Sequence, residues 1–397
     1  MEMLFKAQEG QLRSVSREFV RFLYKEIDWT QRLIGVKGPR GAGKTTLLLQ
    51  YLKYDLKDKN ALYVSADHPY FYQKNLYELA EEFSVSGGQH LLIDEVHKAP
   101  NWSREIKSIY DSFPDLQLIF TSSSALDVYK GEADLSRRLE LYVLPGLSFR
   151  EYVNWTQKLS IPSMTLEELL GGHQDMSKKL LDQFKPIPIF KEYLRKGYLP
   201  FSIHLNEPSY QKRLIAIINT VLETDLLFIK QYSVANSIKM KRLLGVLAEL
   251  VPYEPNVSEL AKKLTLGRDT VSEYLANLEN AGILNFLLSS KEGLVNLRKP
   301  RKIYLENTNF SYALKQIPDV GNLRETFALN QLLNSKNQVR SSSFGDFLVN
   351  DKWTLEVGGK NKSFKQIKGV SESYLAIDDI EIGVGTKVPL FLFGFLY

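Results

Sequence analysis

The chain has no cysteine among its 397 residues, so neither a disulfide nor a thiolate metal site can stabilise it, and a reducing, cytoplasmic setting fits. Histidine is scarce as well. His68, His90, His97, His173 and His204 lie scattered, without the paired spacing of a metal site. Long apolar runs are missing: none approaches the roughly 20 residues that cross a bilayer. The opening Met1-Glu2-Met3-Leu4-Phe5-Lys6 lacks the apolar core of a signal peptide, which sets the expectation of a cytoplasmic protein with no membrane partner. Charge of one sign is not in excess either. A net charge of +5 is too mild to demand a nucleic-acid partner. Internal repeats are absent, and Ser341-Ser342-Ser343 is the single biased tract.

What remains is ordinary globular protein, 44% hydrophobic and 24% charged, long enough for two to four domains. Its sharpest local feature is Gly38-Pro39-Arg40-Gly41-Ala42-Gly43-Lys44-Thr45, a full match to G-x-x-x-x-G-K-[ST]. The apolar run Leu33 to Val36 precedes it and reads as a strand; Thr46 to Leu52 follows and reads as a helix. Glycines there let backbone N–H groups turn inward around phosphates, where side chains would obstruct them. Lys44 is expected at the β/γ-phosphates, Thr45 on a Mg²⁺ ion, and the helix start, with Thr46, toward the anion.

Two further strand ends carry chemistry. Leu91-Leu92-Ile93-Asp94-Glu95 is an apolar strand closing on two acids, at the carboxyl end where open α/β sheets place ligand groups. Asp94 suits the Mg²⁺ shell, and Glu95 suits orienting or deprotonating the attacking water. Leu116 to Ser124 is another buried-type strand, and it ends in hydroxyls. Ser122 or Ser123 is suited to touch the γ-phosphate or the water; the plain alternative is that this run caps the next helix. Ala61 to Ser65 reads as a further strand. Trp102, Ile106, Ile109, Tyr110 and Phe113 recur at helical spacing, so strands alternate with helices and a parallel, doubly wound α/β sheet is expected.

Beyond Pro145-Gly146, capping boxes at Ser148 to Glu151 and Thr165 to Glu168 start helices, and helical patterns run to about Leu227 with breaks at Pro186, Pro188 and Gly197. Met240 to Leu247, Ser258 to Leu264 and Asp269 to Ala281 read as a three-helix core, stopped by Gly282. Ile283 to Leu288 and Ser289 to Gly293 follow as a hairpin, so the whole reads as a winged helix. Between Ser258 and Lys302 stand eight basic residues against five acidic ones, yet the helix Asp269 to Ala281 opens with Asp269 and Glu273, which meet phosphates badly. DNA and a protein partner both remain open for it. Near the C-terminus, Arg324 to Leu333 reads as an amphipathic helix, and Phe344 to Val349 with Trp353 to Val357 as a hairpin.

GPRGAGKTTLLL, LLIDEVHKAPNW, LIFTSSSA and LSRRLELYVLPGLSFREY together resemble the AAA+ ATPases of bacteria and archaea, and within them a subgroup with a nuclease-like C-terminal domain of unknown function. The resemblance implies ATP as the nucleotide, a homo-oligomer, and an arginine reaching a neighbouring subunit's γ-phosphate. Arg138 or Arg137 fills that role, or else both are surface charges. It also implies a core over 1–146, a helical lid over 147–232, the winged helix over 233–299 and a PD-(D/E)xK-like domain over 300–397. In that nuclease fold Asp346 and Glu356 bind a divalent metal, with Glu325 as a third ligand. The lysine expected two positions after the acid is here Gly358, and Lys360 lies two further on. Three readings stay open for this part: an inactive relic, a nucleic-acid surface with the basic stretch Lys360 to Lys368, and an active nuclease with a migrated lysine.

Overall fold

The computed structural model describes residues 1–57, 59–123, 135, 137–226, 232–289, 300–315 and 317–397. The chain forms two compact units, Met1–Pro145 and Gly146–Tyr397. No helix among the described residues is long and apolar enough to cross a membrane.

The first unit is built on five parallel strands: β1 (Leu33–Gly38), β2 (Ala61–Ser65), β3 (His90–Asp94), β4 (Gln117–Ser123) and β5 (Glu140–Val143), in the order β2-β3-β4-β1-β5. Both faces are covered, as the unbroken apolar runs of the strands require. Strand alternation sorts them. Leu33, Leu62, Val64, Leu91, Ile93, Leu118 and Phe120 pack with helices Leu76–Val85 and Trp102–Ser112. Ile34, Val36, Tyr63, Leu92 and Ile119 pack with helix Lys44–Tyr54 on the other face. At the β2 edge the Gln8 carboxamide oxygen accepts from Tyr63 N–H at 2.6 Å, so the helix Glu2–Arg13 blunts a strand edge that would otherwise be open to pairing.

The second unit opens with the two capping boxes read from sequence, Ser148 with Glu151 and Thr165 with Glu168. Pro186 does not break a helix but starts one, Pro186–Lys196, where its missing N–H costs nothing. Helices Val234–Leu250, Val257–Leu264 and Arg268–Asn280 precede β6 (Leu284–Ser289) and β7 (Lys302–Leu305), an antiparallel pair. Residues 290–293 of the expected hairpin lie within a stretch, 290–299, that is outside the described residues. Strands β8 (Val339–Ser341), β9 (Phe347–Val349), β10 (Trp353–Gly358), β11 (Ser373–Ile377) and β12 (Lys387–Pro389) continue the same sheet, in the order β12-β11-β10-β9-β8-β6-β7. A boundary at 299/300 therefore falls between two hydrogen-bonded strands.

The helices expected to stand apart as a lid share their core with the C-terminal residues. Phe149 packs edge-on against Phe190, Tyr193, Phe391 and Phe395, and Phe190 meets Phe327 at 4.7 Å between ring centres. Helix Val320–Asn334, read as amphipathic, is buried even at Thr326, Asn330 and Gln331, because these aromatics cover the side that a surface helix would show to water.

Candidate functional site

The loop between β1 and helix Lys44–Tyr54 has the backbone that its sequence requires. Gly41 and Gly43 take φ of +83° and +97°, where an L side chain is strained. Gly38 lies so close to the Leu144 carbonyl oxygen that an added Cβ would stand 2.1 Å from it. Arg21, which sequence reading passed over, braces this loop from below. Buried to 5% exposure, it donates to the Ala42 carbonyl and, at 2.8 Å, to the Pro145 carbonyl. The Lys44 ammonium donates to the Gly38 and Pro39 carbonyls at 2.7 and 3.1 Å, which holds it at the mouth of the loop.

Strand order brings the predicted residues together. β4 lies between β1 and β3, so the hydroxyl-bearing strand end stands beside both the loop and the acidic pair. Three hydroxyls converge on Asp94: Thr45 donates to Oδ2 at 2.7 Å, Tyr63 to the same oxygen at 2.8 Å, and Thr121 to Oδ1. Thr121 also accepts from Glu95 N–H at 2.9 Å, which fixes Glu95 in the left-handed region at φ +52°. The Glu95 carboxylate faces Arg40 Nη2 at 3.7 Å and, among the described residues, receives no hydroxyl. Burial raises its pKa, opposed by Arg40 and aided by Asp94. Two adjacent acids thus sit in different surroundings.

Not every expected residue lands where the sequence placed it. Side chains alternate along a strand, so Thr121 and Ser123 share the face of Asp94, whereas Ser122 turns toward the opposite layer with Phe120. Ser122 is fully buried there, and its hydroxyl has no hydrogen-bond partner among the described residues. Counting by twos from Ile119 leads to Thr121 and Ser123, the hydroxyls on the side of Asp94. Ser124 and Ser136 lie outside the described residues. Arg138 donates to Asp111 at 3.2 and 3.4 Å and lies over the Tyr110 ring, whereas Arg137 is exposed.

In the second unit the expected C-terminal acids do meet, but with two lysines among them. Tyr304 donates to Glu325 Oε2 at 2.8 Å, and the Lys302 ammonium stands 3.4 Å from that oxygen and 3.9 Å from Asp346 Oδ1. Glu356, 1% exposed on β10, pairs with Lys362 rather than Lys360. Burial, then the Glu325 charge, pushes Asp346 up to about 7, while the Val357 N–H at 2.8 Å works the other way. Among the described residues no group of three or more His, Asp or Glu side chains is arranged as a metal shell. The acids expected as a metal set, Asp346, Glu356 and Glu325, stand beside the ammonium groups of Lys302 and Lys362, which provide the positive charge that repelling carboxylates require.

A second buried acid had no sequence signal. Glu306 accepts from Tyr198 at 2.5 Å, Asn307 at 2.6 Å and Asn330 at 2.9 Å, and burial outweighs these donors to push it up to about 7. The surrounding hydrogen bonds reach Asn334, Tyr397 and the Gly146 carbonyl, so this cluster ties the two ends of the unit together.

Residues 30–153 match a family model described as an AAA domain, and residues 187–320 match one described as a domain of unknown function (DUF8612). The first match and the loop geometry support a nucleotide-binding ATPase domain. The second runs across the boundaries expected at 232/233 and 299/300. The chain is similar to two uncharacterized proteins of Methanocaldococcus jannaschii. MJ1637 is 28% identical over 389 residues, covering 90% of this chain and 82% of the relative; MJ1544 is 21% identical over 310 residues, covering 75% and 65%. Among solved structures, the Aeropyrum pernix ORC1 protein in complex with DNA matches at 14% identity and a TM-score of 0.31, covering 78% of this chain and 92% of that one. AMPPCP-bound DnaA from Aquifex aeolicus matches at 15% identity and a TM-score of 0.25, covering 64% and 84%.

Proposed function

We propose that the first unit binds ATP with Mg²⁺ in the loop Gly38 to Thr45 and hydrolyses it. The observation that carries this reading is the split between the two acids at the end of β3. Asp94 is held by three hydroxyls, one of them from the loop residue Thr45, and Glu95 beside it is left for water. A hydroxyl and a carboxylate oxygen 2.7 Å apart form a hard, all-oxygen donor pair that fits Mg²⁺. Bound there, the ion would neutralise charge on the phosphates.

The chain's own residues do the rest. Lys44 binds the β/γ-phosphates, and inward-facing backbone N–H groups of the loop share the load. Thr121 positions Glu95 through its backbone, and Glu95 orients the attacking water and accepts its proton. Arg137, which is exposed, is freer to reach a neighbouring copy than the Asp111-bound Arg138, and we read hydrolysis as shared within a homo-oligomer. Calorimetry with phosphate release tests the assignment. Lys44→Ala is expected to lose nucleotide binding, and Glu95→Gln to keep it while turnover drops roughly 100-fold or more. Equal loss of affinity in the two variants would rule out these roles.

For the second unit we read a winged helix joined through one sheet to a nuclease-like fold that does not cut. Lys362 on Glu356 favours this, since a lysine neutralising the acid leaves that acid no free charge for a metal. The exposed face of helix Arg268–Asn280 carries Arg268, Asp269, Ser272 and Glu273, a mixed face better suited to a protein surface than to phosphates. DNA contact then falls to Lys360, Lys365 and Lys368, all exposed. Manganese-dependent cutting of DNA or RNA that vanishes in Glu356→Ala would overturn the non-cutting reading.

A further inference from the structure

The phosphate loop carries two cations, and the hydrolysis reading uses only Lys44. Arg40 lies four residues earlier on the same loop, with its Nη2 3.7 Å from Glu95 Oε2 and both side chains about a fifth exposed, at 23% and 22%. Glu95 cannot easily withdraw from this contact, because its backbone is pinned by Thr121 and set at φ +52°. Arg40 lies between Gly38 and Gly41 of the phosphate loop, so its guanidinium stands where a bound phosphate chain would pass.

A guanidinium forks around a carboxylate or a phosphate with the same geometry, and the more highly charged phosphate competes well for it. Lys44 fixes where the phosphate chain must end, since its ammonium lies on the carbonyls of Gly38 and Pro39, the residue next to Arg40. A third phosphate drawn toward Lys44 and the end of β3 therefore comes within reach of the group that faces Glu95. A diphosphate stops one unit short of it.

We propose that Arg40 reads the third phosphate: its guanidinium is shared between Glu95 and the γ-phosphate, so that Glu95 is freed for water only when a triphosphate is bound. This rests on the ATPase reading above and adds to it a regulator of the base and a determinant of ATP over ADP. Were the pair merely structural, it would brace the loop equally for either nucleotide.

The test compares wild type, Arg40→Met and Arg40→Lys by calorimetry with ADP and with ATPγS, both with Mg²⁺, and adds phosphate release for ATP. For Arg40→Met the expected outcome is about a tenfold loss of ATPγS affinity, with ADP affinity changed by less than about twofold. Turnover at saturating ATP should fall as well, and Arg40→Lys should recover part of both losses because it keeps the charge without the fork. If the two affinities fall together, or neither moves, while Lys44→Ala still abolishes binding, the inference is overturned and the ATPase reading stands. If Lys44→Ala binds ATPγS as wild type does, the ATPase reading falls and this inference falls with it.

Discussion

At the scale of single residues, the acids that draw the eye are held in place by hydroxyls. Thr121 donates to Asp94 and accepts from Glu95 N–H, so among the described residues it is the one side chain hydrogen-bonded to both acids. Thr121→Val removes both bonds in a fully buried place, and about 1–3 kcal/mol of stability should go with them, together with most of the turnover. Thr121→Ser should restore both, as read by urea unfolding and phosphate release. A Val variant as active as wild type would remove Thr121 from the site. Glu306 makes a prediction of the opposite kind, about pH. Burial lifts its carboxyl from 4.5 to about 7 in the fold, so the folded state holds a proton that the unfolded chain has released. Its contribution to stability is therefore greatest in acid and declines as pH rises from about 4.5 to about 7, by up to roughly 3 kcal/mol. Asp346 and Glu279, each pushed up to about 7, act in the same direction. Thermal unfolding across that range should show a falling midpoint, and Glu306→Gln should flatten it; an unchanged slope would contradict the assignment.

At the scale of elements, the sequence was most legible where local rules act alone. The strand before the phosphate loop, the helix after it, and the capping boxes at Ser148 and Thr165 each follow from a few adjacent residues, and each is present. Legibility failed where a residue's role depends on which face it occupies or what covers it. The sequence offers Ser122 or Ser123 because composition marks the hydroxyl run, but only the pleat says which hydroxyls face Asp94. Lys362 was missed because the turn after β10, not the sequence interval, decides which lysine reaches Glu356. The helix Val320–Asn334 looked amphipathic because its polar residues, among them Asn330, are hydrogen-bonded within the core rather than exposed. Phe149 belongs to this hidden packing, and Phe149→Ala should destabilise the second unit by about 3–5 kcal/mol. Calorimetric unfolding should show that loss, with nucleotide affinity of the first unit unchanged. A loss below about 1 kcal/mol would mean that helix Phe149–Thr156 is not part of the core.

At the scale of the whole molecule, the proposed hydrolytic site is completed by a second copy. Turnover per chain should fall on dilution below the assembly constant, and mixing Arg137→Ala chains with Lys44→Ala chains should recover part of it, because each supplies what the other lacks. Flat specific activity on dilution, with no recovery in the mixture, would place the entire site in one chain. Within that chain the central claim is that neighbouring acids have separate tasks, and titrating Mg²⁺ against phosphate release at saturating ATP tests it most directly. Asp94→Asn is expected to raise the Mg²⁺ concentration needed for half-maximal turnover by about tenfold or more, since it weakens the oxygen set shared with Thr45. Glu95→Gln is expected to leave that concentration unchanged and to lower the plateau by roughly 100-fold. If both variants shift the Mg²⁺ requirement alike, or if Glu95→Gln keeps the wild-type plateau, the division of labour between Asp94 and Glu95 is contradicted.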